Sequence, residues 1–194
     1  MASKNVTLNL SGRLSFEHIF DPSAGPNGGA EKFSAALILE GKNNPQLPKI
    51  RKAIKDVAEA QWGSRAKAVL NDLQADDRIF LRDGDKSKRP EYQGHWYFNA
   101  SNAKRPLVVD VDKTPLTKAD GKPYSGCYVN MLIEVWAMQN GFGKRICASL
   151  KGVQFVRDGD AFTGGHQATV DDFEDVSNTG YAEEGFDAEE ESLF

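Results

Sequence analysis

The chain has 194 residues, of which 40% are hydrophobic and 10% aromatic, with 24 Lys and Arg against 28 Asp and Glu. It is too apolar to be wholly disordered, and a chain of this length can bury a core. Its longest uninterrupted apolar run is the five residues 35–39, which excludes a membrane-spanning helix. The first residues lack the apolar stretch of a secretory signal, so we expect a cytoplasmic protein.

The charges are divided unevenly along the chain. Residues 171–194 contain ten acidic residues and no Lys or Arg. Residues 1–170 therefore hold 24 basic and 18 acidic residues, a net charge of +6. A basic body with an acidic tail is typical of proteins that bind nucleic acid and also carry an interaction tail.

The first part of the chain predicts two strands and then helices. Apolar and polar residues alternate from residue 4 to residue 20, with an expected bend at Ser11-Gly12, and residues 33–39 predict a second strand. Pro48 begins a helical segment that Gly63 interrupts, and a short second helix is expected over residues 65–73.

The remainder predicts mostly strands, over residues 78–82, 94–100, 107–111, 127–138 and 144–156. Asn140-Gly141 between the last two is a strong hairpin signal. Pairing the hairpin about Gly141 separates Cys127 from Cys147 by about eight residues along the ladder, which excludes a disulfide between them. About six strands and one helical insertion predict a mainly β fold, a small antiparallel barrel over residues 1–162. Residues 163–194 are expected to form a flexible acidic tail.

Aromatic and basic side chains are interleaved on the outward faces of these predicted strands. Such a surface suits single-stranded nucleic acid, because rings stack on unpaired bases while cations contact phosphates. Alternatively, the helical insertion or a homodimer partner covers the rings. The candidates for stacking are Phe80, Tyr92, Tyr97, Tyr128 and Trp136. The candidates for phosphate contact are Arg78, Arg82, Lys86, Lys88, Arg89, Lys104, Arg105, Lys144, Arg145 and Lys151.

No motif predicts catalysis. The chain has neither a phosphate-binding G-x-x-x-x-G-K-[ST] loop nor a G-x-S-x-G elbow. Asp83-Gly84-Asp85 resembles the start of a calcium loop, but Gly94 stands where a bidentate Glu is needed. The three histidines have no zinc-ligand spacing. We therefore expect no catalytic residue, no metal and no cofactor.

The acidic tail ends in an apolar Leu-Phe pair. Its partner-binding candidates are Asp187, Glu189, Glu190, Glu191, Leu193 and Phe194. An aromatic terminus after acidic residues suits docking into a basic-rimmed pocket of a partner protein; the alternative is a tail that only maintains solubility. The tail could also compete with DNA for the basic body.

Several stretches carry a resemblance to a known family. They are residues 124–131 (YSGCYVNM), the hairpin through Gly143, residues 152–160 (GVQFVRDGD) leading into Asp171-Asp172-Phe173, and the acidic tail ending in Phe194. In these the chain resembles the OB-fold single-stranded DNA-binding proteins of tailed bacteriophages. The resemblance implies a protein that coats single-stranded DNA in replication and recombination, in the host cytoplasm, and recruits partner proteins through its tail. One departure is that the predicted helices follow the second strand, whereas an OB barrel usually places its helix between strands three and four.

Two other function classes remain open at this point. One is a protein-interaction or DNA-mimic protein whose acidic tail binds basic partners while the barrel serves as a scaffold. The other is a nucleic-acid enzyme, against which the missing carboxylate and metal-ligand pattern argues.

Overall fold

A computed structural model describes residues 4–24 and 28–162 of the chain. The structure is mainly β with a helical insertion, as the sequence predicts. The strands are β1 (Val6–Ser23), β2 (Lys32–Leu39), β3 (Leu81–Asp83), β4 (Trp96–Asn102), β5 (Leu107–Val109), β6 (Tyr128–Asn140) and β7 (Gly143–Arg157), and the helices are α1 (Leu47–Trp62) and α2 (Ala66–Ala75).

The seven strands form one sheet in the order β3-β4-β2-β1-β6-β7-β5. All neighbours are antiparallel except β5 and β7, which run parallel. The sheet closes on itself where Ile79, just before β3, forms a bridge with Ile146 of β7. Close to this seam, the Asn102 side chain donates a hydrogen bond to the Leu150 carbonyl, at 3.0 Å. The result is the predicted small barrel, except that the β5–β7 pair and the Ile79–Ile146 bridge that closes the sheet are parallel.

Strand β1 changes partner in its middle. Residues 6–13 pair with β6, whereas residues 13–23 pair with β2. A Cβ atom on Gly12 would lie 2.3 Å from the Ile38 carbonyl oxygen, so only glycine allows this close approach. The bend predicted at Ser11-Gly12 is therefore the point at which β1 moves from one neighbour to the other.

The helices cover one side of the barrel and contribute to its core. The predicted apolar face of α1 is buried, including Ile50, Ala53 and Val57, and Val69 and Leu73 of α2 join the same core. Both helices lie between β2 and β3 in the chain, as the residue pattern predicts. None of the helices in the described part of the chain is long and apolar enough to cross a membrane.

The β6–β7 hairpin has a two-residue tip, Gly141-Phe142, because Asn140 pairs with Gly143. Trp136 therefore lies opposite Cys147, one position from the predicted register, and two irregularities further along β6 shift the pairing again. Cys127 and Cys147 are both free, as predicted. The acidic tail over residues 163–194 lies outside the described residues, so its flexibility and the boundary at residue 162 stay predictions.

Candidate nucleic-acid interface

A cleft of 600 Å³ crosses the outer surface where the end of β4 meets β7 and β6. Its walls include Ser101 and Asn102 from β4, Trp136 from β6 and Arg145 from β7. A second cavity of 170 Å³ shares Ser101 and Arg145 with the cleft, so the two are adjacent. We call the combined surface the seam cleft, because it follows the line on which the barrel closes.

Four cations line the seam cleft: Lys32, Arg78, Arg82 and Arg145. None of them forms an ion pair with a carboxylate of residues 4–24 or 28–162. Arg78 lies against Gly143, where a Cβ atom would come within 2.6 Å of its Nη1 atom. The cations are therefore available to an anionic ligand that follows the cleft.

Trp136 supplies the large aromatic surface of the seam cleft. Its Nε1 donates a hydrogen bond to Ser149 Oγ of the neighbouring strand at 2.9 Å, which restricts the orientation of the ring. Phe142 lines the same cleft from the hairpin tip and is 92% exposed. The two rings offer stacking surfaces and the neighbouring cations offer positive charge. A single strand of nucleic acid needs both, the rings for its bases and the cations for its phosphates.

A second aromatic cluster lies further along the outer surface of β4. Tyr97 faces away from the barrel core and stacks on Tyr92, with ring centroids 4.2 Å apart and planes at 18°. The prediction that both tyrosines are exposed is wrong, since Tyr92 is 4% and Tyr97 9% exposed. Ile38 and Phe162 cover them, and burial raises the pKa of the Tyr92 hydroxyl. The orientation of Tyr97 agrees with the alternation of β4, but neighbouring side chains occupy the surfaces of both rings.

Phe80 is not on the surface either, which corrects the prediction that it points outward. Its ring is 7% exposed and packs edge-on against Phe98 of the core, with centroids 5.6 Å apart. The residues on both sides of it, Ile79 and Leu81, face the helices and are buried too. Phe80 is therefore buried although Arg78 and Arg82 on either side of it line the seam cleft, so exposure does not follow from alternation here.

Tyr128 has its ring between two guanidinium groups. Arg157 lies 3.4 Å and Arg13 5.5 Å from the ring centroid, and the Tyr128 hydroxyl donates to Glu40 at 3.1 Å. Tyr128 is half-buried and does not line the seam cleft. The structure therefore places Tyr128 beside two cations that the sequence did not indicate, away from Trp136.

The remaining predicted phosphate contacts are scattered. Lys86, Lys88 and Arg89 are exposed in the β3–β4 connection, and Lys144 is half-buried beside the hairpin tip. Arg105 lies 5.9 Å from the ring centroid of Phe20, and Lys151 forms an ion pair with Glu134 at 3.4 Å. Lys104 is exposed next to Arg105. Of the predicted bases, only Arg78, Arg82 and Arg145 meet at the seam cleft, while the tail candidates lie outside the described residues.

Asp83 and Asp85, which resemble the start of a calcium loop, instead bind a lysine. Lys42 Nζ contacts both carboxylates and lies 2.6 Å from Asp85 Oδ2. Hydrogen bonding to Lys42 lowers the pKa of both aspartates. Within residues 4–24 and 28–162, no three His, Cys, Asp or Glu side chains are grouped as metal ligands would be.

Sequence reasoning missed four residues of these surfaces. Lys32 and Phe142 line the seam cleft, while Arg13 and Arg157 flank Tyr128. The Asn140-Gly141 turn signal does not identify Phe142, because it predicts Asn140 and Gly141 as the two turn residues, whereas the structure has Gly141 and Phe142 at the tip. No sequence signal marks the other three.

Comparisons with known proteins find relatives among bacteriophage proteins. The family model described as Enterobacter phage Enc34, ssDNA-binding protein, matches residues 4–186. Protein p50 of Acyrthosiphon pisum secondary endosymbiont phage 1 is 42% identical over 167 residues, which cover 85% of this chain and 90% of that protein.

Solved structures show the same fold. The single-stranded DNA-binding protein from bacteriophage Enc34 in complex with ssDNA is 27% identical, with a TM-score of 0.63 over 81% of this chain and 89% of the other. A second structure of the single-stranded DNA-binding protein from bacteriophage Enc34 has a TM-score of 0.66 at 27% identity, over 86% of this chain and 88% of the other. The single-stranded DNA-binding protein gp2.5 of bacteriophage T7 is 16% identical, with a TM-score of 0.56 over 97% and 100%, a likeness of fold alone.

Proposed function

Because the chain belongs to the family of the Enterobacter phage Enc34 single-stranded DNA-binding protein, we propose that it binds single-stranded DNA without sequence preference along the seam cleft. The observation that carries this proposal is the set of cations that shares the cleft with Trp136 and forms no ion pair within residues 4–24 and 28–162. An unpaired strand offers the two features that such a surface binds, exposed base faces and a line of phosphates.

The chemistry of the cleft favours single strands over duplexes. A base that stacks on Trp136 contributes about 1–3 kcal/mol, and any base can do so because each has a π-face. In a duplex the bases are already stacked and paired, so only the contacts between the cations and the phosphates remain. The expected ligand is therefore unpaired DNA of any sequence.

The biological role we propose follows from the phage family. The protein coats single-stranded DNA during phage replication or recombination in the host cytoplasm and has no catalytic activity. Its acidic terminal segment, with Asp187, Glu189, Glu190, Glu191, Leu193 and Phe194, recruits replication or recombination proteins. The sequence supports this part of the proposal through ten carboxylates and an apolar terminus, a chemistry that suits basic-rimmed protein pockets.

The decisive test removes the ring at the centre of the cleft. We expect Trp136→Ala to weaken binding of a labelled dT oligonucleotide about 5- to 150-fold in fluorescence anisotropy. Leu132→Ala is the matched control, because Leu132 is an exposed apolar side chain on the same face of β6 but lines a different cavity. Full affinity in Trp136→Ala, or equal binding of a duplex by the wild type, would refute the proposed site.

A further inference from the structure

Strand β1 contains a backbone irregularity at an aromatic residue. Phe16 has a φ of +46°, a left-handed conformation that bulky residues rarely adopt, and the β1–β2 register shifts between Ser15 and His18. The turn rotates the Phe16 ring out of the apolar row that contains Leu14 and Ile19, so that it is 43% exposed. The Phe16 amide donates to Ser125 Oγ at 2.9 Å, which holds the irregular backbone in place.

Such strain is concentrated at functional sites in proteins, because it survives where it serves a purpose other than stability. Burying Phe16 in line with Leu14 would remove both the strain and an exposed apolar ring. The structure does the opposite. The exposed ring is therefore the feature that needs an explanation.

One face of the Phe16 ring is covered by the exposed side chain of Arg89. The Arg89 guanidinium carbon lies 3.5 Å from the ring centroid, close enough for flat stacking. Arg89 is itself exposed, and its ion pair with Glu91 is long, at 3.9 Å. A planar cation on a ring occupies the position that a nucleobase would take, and a displaced guanidinium can pair with a phosphate.

A row of neighbouring side chains connects Phe16 to the seam cleft. Its ring meets Tyr92 edge-on at 6.4 Å, and Tyr92 stacks on Tyr97. Tyr97 lies opposite Arg82 in the β3–β4 pairing, and Arg82 lines the seam cleft. A strand of DNA that leaves the cleft along β4 is thus led to Phe16.

We propose that Phe16 is a second base-stacking residue. In the absence of DNA, Arg89 occupies the position of the base on the ring, and a bound base displaces Arg89 towards a phosphate. This inference rests on the proposed function and extends the DNA path beyond the seam cleft, to a ring outside the predicted candidates. The irregularity in β1 is then the device that presents the ring.

The test separates loss of the ring from loss of the fold. Phe16→Ala and Phe16→Gly in the full-length protein should both weaken binding of a dT oligonucleotide about 5- to 150-fold. Phe16→Gly should also melt at or above the wild-type temperature, because glycine adopts a positive φ without strain. Phe16→Trp should keep the affinity and add a tryptophan whose emission single-stranded DNA quenches.

Phe20→Ala is the matched control, since Phe20 is a half-buried ring on the same strand with a more distant arginine, Arg105 at 5.9 Å. Its affinity should equal that of the wild type. The inference would be overturned if Phe16→Ala and Phe16→Gly kept the wild-type affinity, or if Phe20→Ala lost as much affinity as they do. In either case, binding by the wild type would leave the proposed function intact. Failure of the wild type itself to bind would instead remove the proposed function.

Discussion

Replacing Arg145 by alanine should change the salt dependence of DNA binding by a predictable amount. Arg145 lines both parts of the seam cleft and has no carboxylate partner among residues 4–24 and 28–162. Each phosphate contact to a single strand contributes about 0.7 to the slope of log K against log salt concentration. If each of the four cleft cations contacts one phosphate, the slope is about −2.8, and Arg145→Ala should reduce it to about −2.1.

These slopes correspond to clearly measurable affinities. Between about 50 and 200 mM salt the wild type should lose about 50-fold in affinity and Arg145→Ala about 18-fold. Anisotropy titrations of a labelled oligonucleotide across that salt range measure both slopes. Lys67→Ala, which removes an exposed cation from α2, is the control and should keep the wild-type slope. An unchanged slope in Arg145→Ala would refute the phosphate contact, and an equal reduction in Lys67→Ala would show that overall charge, not the cleft, sets the salt dependence.

Three further outcomes follow from burial and charge. Phe80→Ala should lower the free energy of unfolding by about 3–5 kcal/mol in urea titrations, because the ring packs on Phe98; a cost typical of a surface site would contradict this. Alkylation of Cys147 should be slow near neutral pH and faster as pH rises, because burial raises the pKa of the thiol and only the thiolate reacts. Bound single-stranded DNA should slow the alkylation further, because Cys147 lines the seam cleft. Equal rates with and without DNA would contradict a ligand in the cleft. Deleting residues 171–194 removes ten negative charges and should tighten DNA binding, most strongly at low salt; identical affinities across a salt series would exclude competition by the tail.

The sequence predicts the fold well wherever one face of an element is buried. The alternation in β1 and β6 and the apolar face of α1 identify these elements, because each presents one side to the core. The parallel pairing of β5 with β7 could not be predicted, since three residues carry too little pattern to define a direction. The strand predicted at 78–82 is reduced to Leu81–Asp83, because the segment before it is bound to β7 through Ile79.

The site is predicted less completely, for a physical reason. Alternation indicates which face of a strand a side chain occupies, but not what covers that face. Tyr97 points outward as expected and is nevertheless buried beneath Phe162, whereas Trp136 is in the open cleft. Phe16 shows the converse, since an irregular backbone exposes a ring that regular alternation would bury.

The segment from residue 78 to residue 82 separates two different environments. Ile79 and Leu81 line a cavity of 270 Å³ against the helices, while Arg78 and Arg82 line the seam cleft on its other side. The same run of chain therefore borders a cavity of mixed polar and apolar lining on the helix side and the seam cleft on the other. We expect the packing of the helices to influence the positions of the Arg78 and Arg82 guanidinium groups, because Leu70 of α2 lines the same cavity as Ile79 and Leu81. A larger or smaller side chain at Leu70 should therefore alter DNA affinity, although Leu70 does not line the seam cleft.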